Sequence, residues 1–95
     1  MDESIRVITF FKGEERVVEA DVGNIDPNEV VVINGAGWTL TNRHTGEIEK
    51  SGGCEVDGVN MRCFFGMDIT GRFDLEITAH VGRETIKQRA LVKFE

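Results

Sequence analysis

Residues 71–95 alternate with a period of two: Phe73, Leu75, Ile77, Ala79 and Val81 are separated by Arg72, Asp74, Glu76, Thr78 and His80, and the pattern returns through Ile86, Ala90, Val92 and Phe94. Successive side chains on a strand leave on opposite faces, so this is the signature of two half-buried strands. Gly82 and Arg83 lie between them. A two-residue turn with Gly82 at positive φ pairs Ala79 with Ile86, Leu75 with Ala90 and Phe73 with Val92. Apolar then meets apolar along the hairpin. On the polar face Glu76 falls opposite Arg89, an exposed cross-strand pair worth about 0.2–1 kcal/mol.

The same logic carries upstream. Residues 5–11 and 15–22 predict two strands joined by a turn at Lys12, Gly13 and Glu14, although the pattern leaves the buried face of the first strand open. Residues 23–28 hold the only proline, Pro27, among turn formers, and predict a loop where the chain crosses between sheets. Residues 30–33 are consecutively β-branched, and Asn34, Gly35, Ala36 and Gly37 are expected to break that run as a bend. Trp38 and Leu40 then alternate with Thr39 and Thr41, which puts Trp38 on an inner face. Residues 42–46 turn the chain into a short polar strand that ends at 51–53. Residues 54–65 form another hairpin, for which Asp57 and Gly58 suggest a type I′ turn. That register gathers Met61, Cys63 and Phe65 on one face and places Cys54 opposite Met61, diagonal to Cys63 at roughly 7–8 Å. Disulfides prefer ~4.4–6.8 Å between Cα atoms, so two buried free thiols are expected, with a disulfide left open for the case of a longer, four-residue loop that sets the pair directly opposite.

About seven or eight short strands, with no segment of helical period, predict an all-β fold. The long loop near Pro27 favours an antiparallel sandwich over an up-and-down barrel, which would need tight turns throughout. One such sandwich accounts for residues 1–95 as a single domain.

Composition narrows the function classes. A formal charge of −6 and the lack of a basic cluster disfavour nucleic acid, whose binding rests on Lys and Arg displacing counterions. No apolar run approaches the ~20 residues of a membrane-spanning helix. The acidic residues Asp2 and Glu3 do not resemble a secretory leader, so the protein is expected to be cytoplasmic on synthesis.

No catalytic set assembles from the spacing. His44 falls in a turn and His80 on a polar face, Ser4 and Ser51 are the only serines, and neither sits in a nucleophile elbow. Asp68, Asp74 and Glu76 lack the spacing of a calcium loop, Cys54 and Cys63 lack the spacing of a zinc site, and no cofactor is implied. The candidate interaction residues are therefore loop and surface positions: Asn24, Asp26 and Asn28 near Pro27, Arg43 and His44 in the middle turn, and Leu91. Leu91 is an apolar residue on the outward face of the last strand, where a sheet edge would offer a docking surface. An alternative reading uses Trp38 as a stacking platform for a surface glycan, against its simpler place in the core.

Several segments carry a resemblance. Residues 8–14 (Ile-Thr-Phe-Phe-Lys-Gly-Glu), the glycine-flanked Trp38-Thr39-Leu40, residues 44–48 (His-Thr-Gly-Glu-Ile) and residues 68–75 (Asp-Ile-Thr-Gly-Arg-Phe-Asp-Leu) resemble immunoglobulin-like modules of bacteriophage tail and baseplate proteins. They are most similar to the N-terminal domain of baseplate upper proteins. Phe73 stands where such folds often carry a tyrosine, and the chain has no tyrosine to make the corner hydrogen bond. The resemblance implies an immunoglobulin-like antiparallel β-sandwich, virion association, and a non-enzymatic assembly role through contact with other protein subunits or with itself. The alternative is a carbohydrate-binding or adhesion module.

Overall fold

A computed structural model describes residues 6–21 and 32–95. It contains eight strands: β1 Arg6–Phe10, β2 Glu15–Asp21, β3 Ile33–Asn42, β4 Ile48–Gly53, β5 Glu55–Asp57, β6 Asn60–Gly66, β7 Gly71–Val81 and β8 Glu84–Phe94. They form a five-stranded sheet in the order β1-β8-β7-β3-β4 and a three-stranded sheet in the order β2-β6-β5. The two sheets enclose one apolar layer, as a β-sandwich does.

The β7–β8 hairpin has the expected register throughout, including Phe73 with Val92, Leu75 with Ala90, Ala79 with Ile86 and Glu76 with Arg89. Its two-residue turn has Gly82 at φ 58°, and no residue other than glycine takes positive φ among the described residues. Glycine in the first central position is the type II′ arrangement, which follows the twist of the flanking strands.

Five expectations are corrected. The stretch from Gly35 to Gly37 is no bend: it lies inside β3 and pairs with β7, the irregularity being confined to a register shift between Ile33 and Gly35. The β5–β6 turn uses Gly58 and Val59, because Asp57 pairs with Asn60 and Gly58 takes φ 62° at the first central position. This moves the pairing by two residues and leaves every side chain on its predicted face. Its consequence for the cysteines is that Cys54 no longer lies diagonal to Cys63. Finally, β8 is no edge strand, since β1 pairs with it in parallel from Arg6–Ala90 to Phe10–Phe94. The backbone ladder continues past both strands, with Glu95 N donating to Phe10 O at 2.9 Å and Lys12 N to Glu95 O at 2.7 Å. The parallel pair also departs from a wholly antiparallel arrangement. It settles the open face of the first strand, placing Ile8 and Phe10 inward and Val7 outward.

The core draws Phe10, Trp38, Leu40, Phe73, Leu75, Ile77, Ala79, Val92 and Phe94 from the larger sheet and Met61, Cys63 and Phe65 from the smaller one. Among the described residues no polar or charged side chain is buried. The aromatic rings form a continuous series. Phe73 meets Phe94 edge-on at 5.6 Å, Phe94 meets Phe10 at 5.0 Å, Phe10 stacks on Phe65 at 5.4 Å, and Phe65 leans on Trp38 at 5.0 Å. Phe65 belongs to the smaller sheet and both of its ring partners to the larger one, so this residue bolts the two layers together. Arg16 spreads its guanidinium over Phe10 at 5.3 Å, closing the stack with an aliphatic stem while its charge stays in water.

Candidate functional site

Three parts of the surface hold the residues singled out by sequence. The first is the β3–β4 turn. Asn42 Oδ1 accepts from the His44 N at 2.8 Å and the Thr45 N at 3.3 Å, and Thr45 Oγ1 accepts from the Glu47 N at 3.2 Å. Asn and Thr side chains are thus mimicking backbone turns. Gly46 N donates to Asn42 O at 2.7 Å, and Arg43 N donates to Arg72 O at 3.0 Å, which ties the turn to the start of β7. Arg43 and His44 therefore sit on a braced turn beside Thr70 and Arg72, around a shallow depression of about 600 Å³. Arg43 also meets the Asp74 carboxylate at 3.4 Å. Asn24, Asp26 and Asn28 lie outside the described residues.

The second part is the outer face of the larger sheet. Leu91 is half-buried there, in a cross-strand row that runs Val7, Leu91, Asp74, Thr41, Ile48 from edge to edge. Its outward direction is as expected, but its neighbours on both sides are paired strands. Next to that row, Glu76 receives Lys87 at 3.2 Å and Arg89 at 3.0 Å. The Lys87 hydrogen bond holds the Glu76 carboxyl below the usual carboxylate range against the opposing effect of burial, with the Arg89 hydrogen bond and the charges of both cations adding smaller contributions. A carboxylate whose folded-state pKa is lowered stabilises the fold above its unfolded value of ~4.3 and loses that contribution as pH falls through the folded value. Glu76→Gln is therefore expected to cost about 0.2–1 kcal/mol at about pH 7, the range for exposed pairs, and less at about pH 3, below the unfolded value. Urea denaturation of both proteins at the two pH values measures this difference.

The third part was missed. On the outer face of the smaller sheet Val17 pairs directly with Phe64, and they are 55% and 57% exposed. A groove of about 360 Å³ runs from them past Arg62 and Glu55 to Gly53. Arg62 frames it by pairing with Glu19 at 3.3 Å and Asp57 at 3.5 Å. The signal was present in the Phe64-Phe65 dipeptide: two consecutive aromatics on a strand cannot both face inward.

Among the described residues the interior offers no comparable site. Between the sheets a cavity of about 80 Å³ is lined by Ile8, Val18, Ala20, Ile77, Gln88 and Ala90, and the Gln88 amide donates to the Asp21 carbonyl. Small-molecule sites usually occupy ~300–1,000 Å³. Trp38 is 7% exposed and packed on Phe65, so its ring is not presented to a glycan. Among the described residues no group of three or more His, Cys, Asp or Glu could hold a metal ion. Comparison with known proteins gives no match to a family model, to a curated protein or to a solved structure.

Proposed function

We propose that this β-sandwich is a non-enzymatic assembly module that acts by contact with another protein subunit, the role implied by its resemblance to phage tail and baseplate modules. The observation that carries the reading is the uncovered Val17–Phe64 pair on the outer face of the smaller sheet, framed by the Arg62 ion pairs. An exposed aromatic in an apolar centre with a charged rim is the composition of a protein contact. Strand edges support the same reading. Among the described strands β1 and β4 border the larger sheet and β2 and β5 the smaller one, and an edge can accept a further strand through its backbone.

The test is co-expression with the products of neighbouring genes, followed by light scattering of the purified species. The wild-type chain is expected to form a defined complex. Phe64→Lys is expected to weaken it at least tenfold with a melting temperature close to wild type, because an exposed substitution changes stability by only about 0.5 kcal/mol. A chain that stays monomeric with every neighbouring product, or a complex indifferent to Phe64→Lys, would overturn the reading.

A further inference from the structure

The register of the β5–β6 hairpin sets Cys54 and Cys63 against each other. Strand pairing runs Asp57–Asn60, Val56–Met61, Glu55–Arg62, and one step further falls on Cys54 and Cys63. The turn-closing pair of a two-residue hairpin exchanges backbone hydrogen bonds, and such pairs alternate with non-bonded ones, so Cys54 and Cys63 occupy a non-hydrogen-bonded position. In agreement, the Cys54 N–H donates elsewhere, to Ala36 O at 2.9 Å. Cα atoms at such positions are typically ~4.5 Å apart, inside the span a disulfide accepts. The two sulfurs already point at each other, with 2.6 Å between them.

We propose that Cys54 and Cys63 are a redox modification site, forming a reversible cross-strand disulfide that fixes the corner where the chain leaves the larger sheet for the smaller one. Cys54 stands between β4 and β5, which belong to different sheets, while Cys63 is fully buried on the inner face of β6. The bond ties that crossing to the centre of the smaller sheet.

The co-reactant is a small-molecule disulfide such as oxidised glutathione. The thiolate of Cys54, the partly exposed sulfur, attacks one glutathione sulfur and expels the other glutathione as a thiolate. Cys63, deprotonated in turn, attacks Cys54 Sγ and expels the second glutathione. The protein gives up two electrons and two protons, and both appear on the released thiols. Burial raises both protein thiols above their ordinary range, and for Cys63 the contact with Cys54 adds to that effect. Oxidation is therefore slow at neutral pH and faster in mildly alkaline buffer, unlike that of a low-pKa sensor thiol. The inference is independent of the assembly reading.

The reduced chain is incubated with oxidised glutathione at mildly alkaline pH, then alkylated in denaturant and weighed. The expected product is a monomer with neither cysteine alkylated, no glutathione retained and a melting temperature higher by roughly 10 °C, since cross-linking restricts the unfolded chain. Dithiothreitol is expected to reverse both changes, and Cys54→Ser to abolish both. A persistent glutathione adduct, disulfide-linked dimers or two alkylated cysteines would overturn the site. A bond formed without a rise in melting temperature would overturn its locking role.

Discussion

Phe65→Ala is expected to remove about 3–5 kcal/mol of stability, the usual cost of deleting a buried aromatic and leaving a cavity. Phe65 is 3% exposed and is the ring through which the smaller sheet meets Phe10 and Trp38 of the larger one. A domain of this length commonly has ~5–14 kcal/mol in total. The loss therefore takes a large share of the whole, and thermal denaturation should show a midpoint lowered by well over 10 °C or no cooperative transition. Phe65→Leu keeps apolar volume and should cost much less. If alanine costs under about 1 kcal/mol, the aromatic contact is not what joins the layers.

The neighbouring residue gives the second large effect, by the opposite route. A Cβ built on Gly66 would stand 2.2 Å from the Glu14 carbonyl oxygen and 2.9 Å from Glu15 Cγ. The first is backbone and cannot rotate away. The site is fixed from both sides, because Gly66 pairs with Glu15 at the end of β6 and its carbonyl accepts the Lys50 Nζ at 2.8 Å from across the sandwich. Gly66→Ala is expected to destabilise by about 3 kcal/mol, the upper part of the range for overpacking, with a midpoint shift of ~12–24 °C. The control is Gly53→Ala, where a Cβ meets nothing within 4 Å. Equal losses at both positions would show that backbone entropy, not the close approach of Glu14, governs Gly66.

These two neighbours show what the sequence could and could not reveal. Period-two alternation encodes which face a side chain takes, so the inward set Phe73, Leu75, Ile77, Ala79, Val92 and Phe94 and the partners across the Gly82 turn were legible from local pattern. The order of strands in a sheet is a long-range property. Nothing near Leu91 announces that residues more than eighty positions earlier will lie beside it, and the edge assignment failed for that reason. The Cys54 register failed for a smaller one: Asp-Gly suggests a turn centred on both residues, but Gly58 takes the first central place instead. At the surface, the turn carrying Arg43 and His44 could be read from Asn42, Thr45 and Gly46, whose side-chain and backbone bonds are local. The outward direction of Phe64 was legible from the Phe64-Phe65 dipeptide, but its pairing with Val17 was not, because that depends on β2 and β6 meeting.

The position of β8 also constrains how the molecule can be made. It lies between β1 and β7 as the penultimate member of its sheet, yet among the described strands it comes last in the chain. Until residues 84–94 emerge, β1 lacks its partner among the described strands and one backbone edge of β7 stays unpaired. Assembly of the larger sheet therefore waits for β8 and is nearly all-or-none, since β1 joins β7 only through it.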